Sequence, residues 1–146
     1  MKVIIAGSRV GFSYEDFCAA VRHAIKGHPE FKNITEVVQG GAIGVDHYGQ
    51  VWANLKQIPV KCFPAKWALY GKSAGYKRNE EMADYVSPDG GLIAVWDGKS
   101  KGTKHMIDIA QRKNLLTFVY MPEVKDPIKM YTGILRENGR ESVEVF

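Results

Sequence analysis

Three loops of the chain combine glycine with residues that can bind an anion. They are the segments Gly7-Ser8-Arg9, Gln39–Asp46 with its Gly40-Gly41 pair, and Asp97–Thr103 with Ser100 and Gly102. Glycine lets the backbone approach a ligand closely, and the unpaired N–H groups at the start of a helix stabilise a phosphate. Arg9 can bind a phosphate through two hydrogen bonds, and Ser8 adds a hydroxyl donor. The loops therefore indicate phosphate binding, with a purely conformational role of the glycines as the alternative.

The other polar or aromatic residues near these loops each have a structural and a functional interpretation. Asp46, near the start of a helix, either stabilises the helix dipole or accepts hydrogen bonds from ribose hydroxyls. Ser100 and Thr103 either cap the next helix or hold an anion together with its N–H groups. Trp67 and Tyr70 belong to a long connection, where they either stack on a base or pack against the core.

Apolar runs alternate with helical patterns along the chain and position these loops. Five such runs predict strands: Lys2–Ala6, Thr35–Gln39, Pro59–Phe63, Gly91–Trp96 and Leu115–Tyr120. Apolar residues at helical spacing lie between them, and the helix after the long connection is predicted to begin at Lys77. This alternation is typical of a parallel sheet with helices on both faces. The prediction is an α/β fold, a Rossmann-like three-layer sandwich with five parallel strands in the order 3-2-1-4-5.

The predicted topology brings the loops together. In open α/β sheets, ligands bind beyond the carboxyl ends of the strands, at the point where the strand order reverses. In the order 3-2-1-4-5 that point lies between the first and fourth strands, which lead into Gly7-Ser8-Arg9 and Asp97–Thr103. The Gly40-Gly41 loop follows the neighbouring second strand. The sequence therefore predicts that three glycine-containing loops meet at one crevice.

The pattern changes after residue 120. Pro122 and Pro127 interrupt it, and residues 142–146 alternate like an edge strand that pairs antiparallel with residues 128–134. The prediction is a domain over residues 1–120 followed by a C-terminal extension over residues 121–146 that forms a hairpin.

The composition bounds the class of protein. With 146 residues, 45% hydrophobic and 25% charged, the chain is typical of one globular domain. No apolar run is long enough to span a membrane, so a cytoplasmic location without a membrane partner is expected. Cys18 and Cys62 are predicted to be buried thiols rather than a disulfide or a metal pair, and no metal site is predicted. The net charge of +4 favours a phosphorylated partner. The oligomeric state, a homo-oligomer included, stays open.

Six motifs occur in an order that resembles a known superfamily: Gly7-Ser8-Arg9, Gln39–Asp46, Phe63–Trp67, Tyr70–Gly75, Arg78–Ala83 and Asp97–Thr103. The chain resembles the SLOG superfamily and, within it, the YspA-like group, many of whose members are small bacterial or phage proteins. The resemblance covers about residues 2 to 120, and it extends more distantly to the DNA-processing protein DprA and to the LOG phosphoribohydrolases. It implies a Rossmann-like fold that binds nucleotides or nucleotide-derived ligands such as NAD, ADP-ribose or a nucleoside monophosphate.

The loop pattern and the resemblance together predict a nucleotide-binding site without naming a catalytic residue. Its predicted members are Gly7, Ser8, Arg9, Gly40, Gly41, Asp46, Arg78, Asn79, Asp97, Ser100, Gly102 and Thr103.

The chain departs from the LOG pattern at one position. That pattern ends its second motif Gly-Thr-x-x-Glu with a catalytic Glu, whereas this chain has Met106 three residues after Thr103. A thioether cannot transfer a proton as a carboxylate does. Asp97, Glu80 or Glu81 would have to substitute from another place, and the intervening His105 is interpreted as a surface residue.

Three functions therefore remain open. The first is binding of a small nucleotide-derived ligand, to sense or process it. The second is an N-glycosidase or phosphoribohydrolase, with Arg78 on the phosphate and a carboxylate acting on the ribose. The third is DprA-like binding of single-stranded nucleic acid, which needs cations interleaved with aromatic residues; in this chain they cluster in residues 66–78.

Overall fold

The computed structural model describes residues 1–122, 132–137 and 140–145. Its strands are β1 (Lys2–Gly7), β2 (Glu36–Gln39), β3 (Val60–Cys62), β4 (Gly91–Val95), β5 (Leu116–Pro122), β6 (Thr132–Glu137) and β7 (Arg140–Val145). Its helices are α1 (Tyr14–Gly27), α2 (Val45–Leu55), α3 (Trp67–Tyr70), α4 (Ala74–Val86) and α5 (Lys101–Arg112), with 3-10 turns at Pro29–Asn33 and Gly71–Ser73.

The first five strands form a parallel sheet in the order β3-β2-β1-β4-β5, so the predicted fold class is confirmed. The central strand β1 pairs with β2 on one side and β4 on the other, with Ile4 opposite both Val38 and Leu92. All five residues of β4 are buried. Strands covered on both faces are continuously apolar, which is why these runs lack polar alternation.

Two hydrophobic cores flank the sheet. On one face, α1 and α2 pack Phe17, Val21 and Val45 against Ile5 and Ile93. The other face carries α4 and α5, whose inward side chains include Met82, Met106 and Ile109. Successive residues of β1 alternate between the two cores, as the period of a strand requires. None of the helices that the structure describes has the length and apolar character needed to cross a membrane.

The connection before α4 is more ordered than predicted. The prediction placed the helix start at Lys77, but α4 begins at Ala74, and α3 and a 3-10 turn precede it. Ala74 is 1% exposed, and the ring of Trp67 packs over Gly75. The Lys77 ammonium lies 4.9 Å from the centre of the Tyr70 ring. These contacts accompany the earlier start of α4, in residues that the sequence pattern placed in a loop.

The prediction for the two cysteines is wrong in part. Both are free thiols, but Cys62 is exposed and Cys18 is half-buried. Cys62 ends β3, which is the edge strand of the described sheet and pairs there with β2. An edge strand of three residues is covered less by its neighbours than the central strands are. The apolar residues at its two ends therefore did not guarantee burial.

The C-terminal extension continues the same sheet. β6 pairs antiparallel with β5, and β7 pairs antiparallel with β6, with Ile134 opposite Val143. The predicted antiparallel pairing of the last strand is therefore present, with its partner at Thr132–Glu137. Residues 128–131 and 146 of that prediction lie outside the described residues. β5 passes the proposed boundary at residue 120 and ends at Pro122.

A methyl group at Gly7 is expected to destabilise the protein. Its Cβ would lie 2.5 Å from the Val95 carbonyl oxygen and 2.7 Å from Val45 Cβ, so either β4 or α2 must move. We expect Gly7→Ala to lower the free energy of unfolding by about 1–3 kcal/mol or more in urea titrations. Gly102→Ala is the matched control, because a Cβ there meets nothing within 4 Å. Equal midpoints for the two variants would contradict this close packing.

Candidate functional site

A cavity of about 390 Å³ lies where the carboxyl ends of β1 and β4 meet. Ten of the twelve residues predicted from sequence line it: Gly7, Ser8, Arg9, Asp46, Arg78, Asn79, Asp97, Ser100, Gly102 and Thr103. Apolar residues that the sequence did not single out complete the lining: Ala6, Val10, Ala42 and Met82. An apolar side chain carries no chemical signature that would mark it in the sequence as part of a ligand site. Met106 lines the cavity as well.

Gly40 and Gly41, which were predicted to belong to the site, do not line the cavity, and their N–H groups donate to nearby side chains. The Gly40 N–H donates to Asp46 Oδ2 at 3.1 Å, and the Ala42 N–H donates to the same oxygen at 3.3 Å. The Gly41 N–H donates to Gln39 Oε1. The Asp46 carboxylate, in the first turn of α2, thus accepts hydrogen bonds from loop N–H groups that could otherwise bind a phosphate.

Asp46 is held in an unusual electrostatic environment. Its side chain lines the cavity, yet the residue is only 6% exposed. Burial raises the pKa of Asp46 from 3.8 to about 6, against the opposing effects of the Ala42 and Gly40 N–H groups and of the Arg78 and Arg9 charges. A carboxyl group that titrates near neutrality in a cavity is a common feature of functional sites.

Arg78 anchors the opposite wall of the cavity. Its Nη1 donates to the Gly40 carbonyl at 2.6 Å, and its Nε donates to Asn79 Oδ1 at 3.1 Å. A Cβ at Gly40 would lie 2.2 Å from Nη1, so glycine is required there for the guanidinium to pass. Burial lowers the pKa of Arg78, and the nearby Asp46 charge opposes this effect. Arg9, by contrast, is an exposed cation at the cavity rim.

The amide of Asn79 joins α4 to α5. Asn79 is 5% exposed, and its Nδ2 donates to the Gly102 carbonyl at 3.2 Å. The same Nδ2 lies 3.1 Å from Nδ1 of His105. His105 is half-buried and stacks on Tyr76, so it is more enclosed than a solvent-facing surface residue, and it does not line the cavity. Histidine at this helical position carries no local signal of such a contact.

The start of α5 presents donors to the cavity. Ser100 caps the helix, since its Oγ accepts from the Thr103 N–H at 3.4 Å. The N–H groups of Lys101 and Gly102 have no partner among the described residues. Unpaired N–H groups at a helix N-terminus attract an anion.

The hydroxyl of Ser8 is the second available donor. The residue is 4% exposed, lines the cavity, and its Oγ makes no hydrogen bond of good geometry within the described part of the chain. Buried polar atoms without a partner are rare in folded proteins and call for an explanation such as a missing ligand or water.

Asp97 closes the loop after β4. Its Oδ1 accepts from the N–H groups of Lys99 and Ser100, both at 2.8 Å. Burial alone raises the pKa of Asp97, but the N–H groups of Ser100 and Lys99, together with the Ser8 hydroxyl nearby, bring it below its ordinary value. Asp97 is therefore ionised at neutral pH.

Two groups of sequence candidates lie away from the cavity. Glu80 and Glu81 are exposed and do not line it, whereas Met106 is 1% exposed and does. Trp67 and Tyr70 also lie outside the cavity lining, with 51% and 39% of their surface exposed. Among the described residues, no three His, Cys, Asp or Glu side chains are placed to hold a metal ion.

Comparison with known proteins assigns neither a family nor a function to the chain. The chain matches no model of a known protein family, and no curated protein is found to be similar to it. The resemblance to the SLOG superfamily stays a prediction carried by the six sequence motifs.

Proposed function

We propose that the cavity binds a small nucleotide-derived ligand such as NAD, ADP-ribose or a nucleoside monophosphate. The observation that carries the proposal is the buried hydroxyl of Ser8, which makes no hydrogen bond of good geometry among the described residues although Asp97 lies near it, in the same cavity as the N-terminus of α5. A buried hydroxyl and the N–H groups at a helix N-terminus both suit a phosphate, whose oxygens accept several hydrogen bonds. The phosphate would rest between Ser8 and Gly102.

The other lining residues suit the remaining parts of such a ligand. Arg78 and Arg9 supply positive charge, and Asp46 offers carboxylate oxygens to ribose hydroxyls. Val10 and Met82 supply apolar surface. The volume of about 390 Å³ lies near the lower end of ligand sites, which suits a mononucleotide. A dinucleotide such as NAD would extend beyond the rim.

A nucleotide that binds is expected to raise the melting temperature. At a ligand concentration about 100-fold above Kd, binding adds about 2.7 kcal/mol, which corresponds to a rise of about 5–10 °C for a protein of this size. We expect Arg78→Ala and Arg9→Ala to weaken binding by about 10- to 150-fold, as the loss of a charged hydrogen bond does. The measurement is a thermal-shift panel of nucleoside monophosphates, ADP-ribose and NAD.

Arg22→Ala is the matched control, because Arg22 is an exposed arginine of α1 that does not line the cavity. It removes the same charge and should leave the shift unchanged. A panel that produces no shift with the unmodified protein would remove the main support for the proposal.

An N-glycosidase is the second candidate, favoured by one observation. Asp46 lines the cavity with a pKa of about 6, a value that suits a general acid or base. This carboxylate was not among the substitutes expected from sequence. The absence of a glutamate at the Met106 position argues against the candidate.

Binding of single-stranded nucleic acid is the third candidate. Residues 64–79 contain three lysines, one arginine and no acidic residue, and Trp67, Tyr70 and Tyr76 are exposed there. Exposed aromatic side chains beside cations can stack on successive bases. Affinity for a polymeric phosphate would fall steeply with salt, which separates this candidate from a small ligand.

The free thiols of Cys18 and Cys62 agree with the proposed cytoplasmic location.

A further inference from the structure

One histidine outside the cavity is connected to its wall. His105, on α5, does not line the cavity, but its Nδ1 lies 3.1 Å from Nδ2 of the buried Asn79. Its ring stacks on Tyr76 with 4.1 Å between the ring centres and 30° between the planes. The imidazole is therefore fixed between an aromatic ring and an amide that belongs to the site.

The hydrogen bonds of Asn79 determine the protonation of His105. Asn79 Oδ1 accepts from the Arg78 Nε–H, and Nδ2 donates to the Gly102 carbonyl. Because an arginine Nε–H only donates and a carbonyl oxygen only accepts, the amide has one orientation that satisfies both. Its second N–H then points to His105 Nδ1, which must accept. The network thus assigns a neutral imidazole with its proton on Nε2.

We propose that His105 is a positioning residue of the ligand site: its neutral imidazole holds the Asn79 amide, and through it the Arg78 guanidinium, in place at the cavity wall. The inference rests on the proposed function only in assuming that Arg78 contacts the ligand. Its structural part, the coupling of His105 to Arg78, does not depend on any ligand.

Protonation of His105 breaks this arrangement whichever way the amide responds. A proton on Nδ1 would face the Asn79 NH₂ group, and that hydrogen bond would be lost. Rotating the amide by half a turn would restore it, but would place Nδ2 against Arg78 Nε and Oδ1 against the Gly102 carbonyl. Two hydrogen bonds would then be lost instead of one. With the amide unrotated, Asn79 loses one of the bonds that hold it; with the amide rotated, Arg78 loses its Nε bond to Asn79 and keeps only the Nη1 bond to the Gly40 carbonyl.

The groups around His105 keep it neutral near pH 7. Burial is the largest influence and lowers the pKa of His105 below 6.5, and the Arg112 charge acts in the same direction. Glu80 from α4 and Asp108 from α5 oppose it. Tyr76 from α4 also faces the ring, by stacking on it.

Nuclear magnetic resonance of the full chain without ligand tests the coupling. The pH is lowered from about 8 to about 5 while the His105 ring, the Asn79 side-chain amide and the Arg78 Nε–H are followed. We expect the Nε2–H tautomer at high pH, and we expect the Asn79 and Arg78 signals to shift with the midpoint of His105. In His105→Gln, whose side-chain oxygen can accept from Asn79 but cannot titrate, the part of the Asn79 and Arg78 shifts that follows the His105 midpoint should disappear, and the part caused by the titration of Asp46 beside Arg78 should remain.

His47→Gln is the matched control, because His47 is exposed on α2 and should leave the transition in place. An Nδ1–H tautomer of His105, or Asn79 and Arg78 signals that do not follow its midpoint, would overturn the proposal. So would a transition that persists unchanged in His105→Gln.

Binding of adenosine 5′-monophosphate, measured by calorimetry, supplies the second readout. The phosphate of the ligand and the Asp46 carboxyl also change protonation over this pH range, and they do so in both proteins. The affinity of the wild type is therefore compared with that of His105→Gln at each pH. We expect similar affinities at about pH 7.5 and tighter binding by the variant as the pH falls towards about 5, with a ratio below about 10-fold at about pH 5.5 because the pKa of His105 lies below 6.5. A constant ratio would contradict the positioning role. If no nucleotide binds, the proposed function fails, and the resonance experiment still decides the coupling.

Discussion

Prolonged incubation of the protein with nucleoside 5′-monophosphates is expected to release little or no free base. Cleavage of an N-glycosidic bond needs a carboxylate near the ribose, and a missing general acid or base lowers the rate by about 10²–10⁴-fold. Met106 faces the cavity from α5 at the position where the LOG pattern has its glutamate. A thioether there leaves the donors for a phosphate in place but supplies no proton transfer.

The two carboxylates that line the cavity are committed to other contacts. Asp97 is ionised and accepts two loop N–H groups, so it is a poor proton donor. Asp46 accepts the N–H groups of Gly40 and Ala42. In each carboxylate a single oxygen accepts both N–H groups, so only the other oxygen could contact a ribose.

Chromatography of a monophosphate panel measures base release, with Asp46→Asn and Asp97→Asn run beside the wild type. Glu80→Gln and Glu81→Gln serve as controls, because these exposed residues lie outside the cavity lining. Strong release by the wild type that disappears in Asp46→Asn or Asp97→Asn would refute the binding proposal in favour of the glycosidase. It would also identify the catalytic carboxylate.

Asp46→Asn is expected to stabilise the protein increasingly as the pH rises. The pKa of Asp46 is raised from 3.8 to about 6 by burial. Because the folded protein holds this proton more tightly than the unfolded chain does, protonation stabilises the folded state fully below pH 3.8. This contribution to the free energy of unfolding is lost as the pH rises through about 6. A shift of this size corresponds to about 3 kcal/mol. Because asparagine does not ionise, the variant avoids this loss and keeps one oxygen for the loop N–H groups.

Urea unfolding of both proteins between about pH 4 and about pH 8 measures the difference. We expect the variant to gain up to about 3 kcal/mol on the wild type across this range, mostly between the two pKa values. Asp108→Asn is the control, because Asp108 is an exposed partner of Lys104 on α5. Its difference should stay within about 0.5 kcal/mol. A pH-independent difference for Asp46→Asn would show that its carboxyl is not buried as described.

A stabilising substitution in a cavity fits a site selected for binding. Ionised Asp46 weakens the folded state, yet it places carboxylate oxygens where the proposed ribose would lie. Sites of this kind commonly sacrifice stability for function. Asp46→Asn should therefore be the more stable protein and the weaker binder.

The sequence by itself determined the strand order and the place of the site. Alternating apolar runs and helical spacing predict parallel strands in the order 3-2-1-4-5, and the structure has that order. Parallel strands bring the loops at their carboxyl ends to one edge of the sheet. That rule alone placed Ser8, Arg9, Asp97 and Gly102 around one cavity.

Only the tertiary structure decided how the donors and charges of the site are used. Arg78 reaches the Gly40 carbonyl across 38 residues of sequence, and Asn79 reaches His105 across 26. No local pattern encodes such a distance. Burial sets the pKa of Asp46, and the long-range contact with Asn79 sets the tautomer proposed for His105, because both depend on which groups surround a side chain after the chain has folded.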